Sequence, residues 1–194
     1  NYYAHMFVYK NKYFLIIESI KDIDLKNIKK RDEFSIIYRN KNNLENVYDL
    51  LNFRRFCKRK TIKFYVANNT KLAILLNSDG IYISAFNKSF KPLSLTKLNF
   101  NVIGSAHNLK EIAIKKKQGC KAILFSKLFL VKYDKTAPYL GIVKFNNYLK
   151  INKNLIPLGG ISIDNLNNLN NINCEGFALL SEIKKKPAKI INRL

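Results

Sequence analysis

The sequence predicts a small (β/α)8 barrel, an α/β TIM barrel built as a single domain over 1–194. Three observations carry that expectation. Eight short apolar runs recur along the chain, most of them continuous rather than alternating, which suits parallel strands covered on both faces. The intervals between them are long enough for a helical crossover. The last two runs end in small residues, Gly159-Gly160 and Ser181, and the loops after the last two strands of such a barrel commonly cradle a phosphate. The structural rival is a doubly wound open sheet, which asks for a Gly-rich first turn; the chain has no G-x-G-x-x-G.

In chain order the runs are 14–17, 34–38, 62–66, 80–83, 101–104, 122–125, 155–158 and 176–180. Between the second and third, Leu44, Val47, Leu50 and Leu51 recur at helical spacing. Phe53, Phe56 and Cys57 extend that face toward the basic tail Lys58-Arg59-Lys60. After the fifth run, Asn108 is placed to cap a helix with Glu111 at its third position, Leu109, Ile112 and Ala113 facing inward and Gly119 ending it. After the seventh, Ser162 or Asp164 can cap a further helix through Leu166 and Leu169.

Composition narrows the classes. The 194 residues include 47% hydrophobic ones, enough for one substantial core. No run approaches the roughly 18 apolar residues of a membrane span, and 2–14 is too interrupted for a signal peptide, so no membrane partner and a cytoplasmic location are expected. Cys57, Cys120 and Cys174 are odd in number and widely spaced, which suggests reduced structural thiols rather than disulfides or zinc. The formal charge is +22, but the basic residues are spread along the chain with no run longer than Lys115-Lys116-Lys117 or Lys184-Lys185-Lys186. A solvated surface outweighs a nucleic-acid-binding face, while the positive potential favours phosphorylated ligands in a cleft.

In a barrel the residues just past each strand form the site. They are Glu18, then Arg39 and Lys41, Asn68 and Asn69, Ser84 and Asn87, Ser105 and His107, Ser126 and Lys127, Gly159 and Gly160, and finally Leu180 and Ser181. Arg39 and Lys41 are two apart, so on an extended segment they point the same way, as a diphosphate clamp requires; a solvated pair is the equal alternative. His107, one of two histidines, stands just before a capped helix, where a general acid or base can act near neutral pH. A hydrogen-bonding structural role is its alternative. Magnesium on a diphosphate calls for one or two carboxylates, whereas the third and fourth strand ends offer the neutral amides Asn69 and Asn87.

These blocks together resemble the thiamine-phosphate synthase/TenI family over about 35–183. The anchors are Ile37-Tyr38-Arg39-Asn40-Lys41, Val66-Ala67-Asn68-Asn69, Asp79-Gly80-Ile81-Tyr82-Ile83, Ile103-Gly104-Ser105-Ala106-His107 with Glu111, Ile156 through Ile161, and Gly176 through Ile183. The resemblance implies a synthase that joins hydroxymethylpyrimidine diphosphate to thiazole phosphate, giving thiamine phosphate and pyrophosphate. It implies Arg39, Lys41 and Asn68 on the diphosphate, Ser105 and His107 at the reacting centre, and Gly159, Gly160 and Ser181 on the thiazole phosphate; the strand-end residues Lys127 and Leu180 are added to the diphosphate and phosphate sets by position. The family's two magnesium carboxylates fall at Asn69 and Asn87, its glutamine before the Arg at Ile37, and its Thr-x-Thr-Lys loop at Val131-Lys132-Tyr133-Asp134-Lys135. Magnesium is the one cofactor implied, and those replacements count against it; Lys127, Lys132 and Lys135 compensate in part. A TenI-like thiazole tautomerase using His107, or a divergent thiazole-phosphate-binding protein, is the alternative function, and a basic nucleic-acid binder the distant one. Phosphorylated pyrimidine and thiazole compounds are the expected partners, and a homo-oligomer stays open.

Overall fold

The computed structural model describes residues 12–27, 34–40, 45–131 and 136–180. Eight parallel strands close into a barrel in chain order: β1 (Lys12–Ile17), β2 (Phe34–Tyr38), β3 (Lys63–Ala67), β4 (Gly80–Ile83), β5 (Asn101–Ala106), β6 (Ala122–Ser126), β7 (Leu155–Leu158) and β8 (Gly176–Leu179). Closure comes from β8 lying beside β1, with Lys12 opposite Gly176 and Leu15 opposite Leu179. Each expected run is a strand. β1 begins two residues earlier than its run, β3 is shifted by one residue, β5 and β6 run two and one residues further, and β8 ends one residue sooner.

Alternation along the strands divides the core in two. Phe14, Ile16, Ile37, Tyr65, Tyr82, Ile103, Leu124, Ile156, Leu158 and Ala178 form one cluster, with at least one member from every strand; this is the barrel lumen. Their neighbours, such as Leu15, Ile36, Phe64, Ile81, Phe125 and Phe177, point outward into a larger layer under the helices. Both faces of each strand are therefore apolar, which explains the continuous runs.

Gly80 shows how tightly the lumen is filled. It sits in register with Tyr65 on one side and Asn101 on the other. A Cβ there would press on the Asn101 carbonyl oxygen and come 2.7 Å from the Tyr65 ring. The glycine is the space into which the tyrosine packs.

Four α-helices occur among the described residues: α1 (Val47–Arg59), α2 (Thr70–Leu75), α3 (Leu109–Lys117) and α4 (Gly141–Ile151). α1 buries Leu50, Arg54 and Cys57. Arg54 had no place on the expected apolar face; its Nη2 lies 3.2 Å from Asp79 Oδ2, and its Nε and Nη2 both donate to the Asn77 carbonyl. Asp79 also accepts the Phe64 N–H at 2.7 Å, so one ion pair ties α1 to β3 and β4. α4 presents Phe145 and Leu149 to the core, at a helical spacing the sequence carries openly.

Two expectations about helices need correction. The connection through Leu166 and Leu169 is a 3₁₀ helix, Ile163–Asn171, not an α-helix, and the segments Lys91–Leu98, Ile20–Asp22 and Leu25–Asn27 are 3₁₀ as well. Asparagine side chains compete for the backbone and favour such tight turns; Asn165 Oδ1 takes the Ser162 N–H at 2.9 Å. On α3, Leu109 and Ala113 face outward, and the inward row is Ile112, Lys115 and Gln118. A lysine occupies the core because its ammonium finds polar partners there, as described below.

Replacing Gly80 with alanine is expected to cost about 2 kcal/mol by overpacking the lumen. Urea unfolding should show a lower midpoint with an unchanged slope; a midpoint equal to wild type would contradict the tight Tyr65 contact.

Candidate functional site

The carboxyl ends of the strands open into a cleft of about 440 Å³. Its lining includes Arg39, Ser84, Ser105, His107, Ser126, Lys127, Gly159, Gly160 and Leu180, drawn from the ends of six strands, β2 and β4 to β8. Asn68, Asn69, Asn87 and Glu18 are not in the lining. Lys41 and Ser181, with Lys132, Tyr133, Asp134 and Lys135, lie outside the described residues.

Arg39 leaves β2 with its own N–H donated to the Ile17 carbonyl at 2.8 Å, which sets where the side chain starts. The guanidinium stands 4.0 Å from Glu18 and interacts with the Tyr82 hydroxyl, which also bonds Ser105. Tyr82 is fully buried at the top of the lumen, and desolvation pushes its phenol above the ordinary tyrosine range, so it stays a neutral donor and acceptor between Ser105 and Arg39. Its position in an apolar strand concealed this role from the sequence.

Across the cleft, Gly159 and Gly160 take φ values of +93° and +71°. At Gly160 a Cβ would strike the Phe129 carbonyl; at Gly159 it would press on Lys127, 3.2 Å away at Cα. The chain therefore needs two consecutive glycines here, and this wall of the cleft is bare backbone beside Lys127.

His107 is the exposed titratable group of the site, and α3 organises it. Asn108 caps the helix through its Oδ1, which accepts the Glu111 N–H at 2.9 Å. Glu111 reaches back: Oε2 accepts the His107 N–H at 2.7 Å and lies 3.1 Å from His107 Nδ1, while Oε1 accepts from Asn108 Nδ2 at 3.1 Å. Partial burial pushes the Glu111 carboxyl up, but these hydrogen bonds and the imidazole outweigh it and hold the group below its ordinary value. An ionised carboxylate accepts only, so it favours the proton on Nδ1 and leaves the Nε2 lone pair as a base. The cap was legible as Asn-x-x-Glu; the histidine partner was a second reading of the same glutamate, at a spacing of four.

A family model described as thiamine monophosphate synthase, TMP-TENI, matches residues 25–183. The chain belongs to that family. Among curated proteins it is 24% identical over 139 residues to a thiamine-phosphate synthase of Clostridioides difficile, covering 70% of this chain and 65% of the relative. It is 24% identical over 161 residues to that of Flavobacterium psychrophilum, covering 77% and 78%. This chain thus spans just under two thirds of the first relative's length. Thiamine phosphate pyrophosphorylase from Pyrococcus furiosus shares the fold at a TM-score of 0.68 and 16% identity, over 94% of this chain and 96% of that one. The fold is also shared by 2-keto-3-deoxy-6-phospho-gluconate aldolase from Zymomonas mobilis, at 0.58 and 11%, over 95% and 91%.

The magnesium implied by the thiamine monophosphate synthase resemblance does not fit the residues present. Asn69 caps α2, its Oδ1 accepting the Leu72 N–H at 3.0 Å. Asn87 Oδ1 accepts the Ser89 N–H at 2.9 Å, and its Nδ2 donates to Asn68 Oδ1 at 3.0 Å. Asn68, at φ +58°, also accepts the Ser84 N–H at 3.0 Å and donates to Ser84 Oγ at 2.7 Å. All three amide oxygens are spent on N–H groups of the protein. Among the described residues no group of three or more His, Cys, Asp or Glu side chains is placed to hold a metal. Asn68, expected on the diphosphate, lies outside the cleft lining, and its Nδ2 donates to Ser84 Oγ beyond the end of β4.

The three thiols are free. Burial pushes Cys57 and Cys120 up to about 12. No helix among the described residues is long and apolar enough to cross a membrane.

Glu111→Gln should lower stability by about 0.5–1 kcal/mol at neutral pH, the usual worth of a carboxylate at a helix N-terminus. Because the folded-state value is depressed, the wild-type advantage is complete above the ordinary 4.5 and is lost as the pH falls through the folded value. Urea unfolding of both proteins at about pH 7 and about pH 3 checks this; a gap that does not shrink in acid would contradict it.

Proposed function

We propose that this chain is a thiamine-phosphate synthase-like transferase, taking a pyrimidine diphosphate and a thiazole phosphate. The observation that carries the reading is the pairing, in one cleft, of Arg39 and Lys127 with the bare Gly159-Gly160 wall, in a chain matched by the family model over 25–183. In the reaction, the pyrimidine-bearing carbon exchanges its bond to a diphosphate oxygen for a bond to the thiazole, and pyrophosphate leaves with the electron pair. Negative charge grows on that oxygen as the bond breaks. Arg39, oriented by Tyr82 and Glu18, offers fixed donors to it, and Lys127 adds a point charge. The glycine wall admits a phosphate ester close to main-chain N–H groups, with Lys127 beside it and Leu180 also in the lining; Ser181 is proposed as a further phosphate ligand. Ser105 sits between the two ends, bonded to Tyr82. Lys41 is proposed as a second diphosphate ligand.

A thiazole tautomerase is the second reading, favoured by the His107–Glu111 pair, whose Nε2 lone pair is suited to move a proton on a bound ring.

Incubating the protein with both phosphorylated substrates should yield thiamine phosphate and pyrophosphate, and Arg39→Ala should reduce kcat/KM by about 100-fold with the fold retained. Absence of product above background would overturn the synthase reading. Under the tautomerase reading, His107→Ala abolishes isomerisation of the thiazole phosphate; unchanged turnover would remove His107 as its base.

A further inference from the structure

We infer that the diphosphate end of this cleft takes its ligand without a divalent cation, matching the ligand's charge with fixed protein cations instead. The inference rests on the diphosphate-site reading above and specifies what that site requires.

Its foundation is the way the loop after β4 is locked. Lys115 is fully buried on α3, and its Nζ donates to the Asn87 carbonyl at 2.7 Å and to Gln118 Oε1 at 2.9 Å. Gln118, equally buried, donates its Nε2 to the Asn87 carbonyl at 3.0 Å and to the Ser89 carbonyl at 2.8 Å. Asn87 is thus held by its backbone from below and by its side chain from Asn68, with its remaining oxygen on Ser89. Turning Asn87 toward a metal would break the bond from the Ser89 N–H and one of the two hydrogen bonds that Asn68 Oδ1 accepts. Turning Asn69 would uncap α2, and turning Asn68 would release Ser84. Each such turn gives up hydrogen bonds the protein already makes, in exchange for a neutral amide, a weak ligand for magnesium.

Charge points the same way. The loop already rests on a buried ammonium, and a dication arriving there would add to that positive charge. Glu111 is the one carboxylate in the cleft lining among the described residues, and both its oxygens are engaged with His107 and Asn108. Arg39, which also faces Glu18 at 4.0 Å, and Lys127 on the glycine wall both line the cleft, so a diphosphate lying between them meets two cations, within a chain of net charge +22.

Titration calorimetry of the full chain with sodium pyrophosphate, once in EDTA and once in excess magnesium corrected for the pyrophosphate–magnesium complex, tests this. Binding in EDTA should be within about threefold of that in magnesium, and Arg39→Gln and Lys127→Gln should each weaken it about tenfold or more in EDTA while melting like wild type. Binding that needs magnesium, or tightens more than about tenfold with it, would overturn the inference while leaving the diphosphate site standing. Binding in EDTA that neither substitution weakens is adsorption to a basic surface and overturns it too. No binding in either buffer overturns the diphosphate-site reading and the inference together.

Discussion

A buried lysine ammonium governs the active rim of this barrel. A charge fully removed from water is tolerated only where hydrogen bonds replace its hydration, and Lys115 has them in the Asn87 carbonyl and Gln118. Desolvation still pulls its pKa below the ordinary lysine range. Its stem needs room, which Gly104 provides: a Cβ there would come 2.9 Å from Lys115 Cδ and 2.8 Å from Cys120 Sγ. Because the ammonium cannot let go of Asn87 without being stranded, the loop after β4 has one arrangement, and the amide chain from Asn87 through Asn68 to Ser84 follows from it. The rim between β3 and β5 is therefore held by this network, with the Lys115 ammonium beneath it.

That network leaves the working groups on the other strands. Arg39 comes from the end of β2, Ser105 and His107 from the end of β5, Lys127 from β6 and the two glycines from β7. Tyr82 connects the first two groups through the top of the lumen, so the packed interior and the site share a residue. In the proposed reading one part of the cleft spreads charge over a diphosphate and another takes a phosphate ester, and the cations lining it, rather than an acidic cluster, carry that reading.

The strands were readable because burial on both faces writes continuous apolar runs, and 14–17 or 155–158 could hardly be anything else. The cap of α3 was readable because Asn108 and Glu111 act locally, three residues apart. Lys115 and Gln118 were not, since a lysine amid Lys116 and Lys117 reads as solvated; its partner lies 28 residues away and appears only when β4 and β5 pair. Arg54 escaped for the same reason, its acceptor Asn77 being 23 residues off. Asn68, Asn69 and Asn87 were picked out correctly as strand-end residues, but their side chains could be assigned to the protein's own N–H groups only in three dimensions. The 3₁₀ connection Ile163–Asn171, rich in asparagine, falls between helix and turn propensities, and the helical spacing of Leu166 and Leu169 conceals this in the sequence.

The most direct test of this account is crystallographic. Crystals grown with pyrophosphate and soaked in manganese, whose anomalous signal marks any divalent site, should show the diphosphate against Arg39 and Lys127, with Asn69 and Asn87 unmoved and no manganese between them. An anomalous peak ligated by the side-chain oxygens of Asn69 and Asn87, with the bond from Asn87 to Asn68 broken, would contradict it.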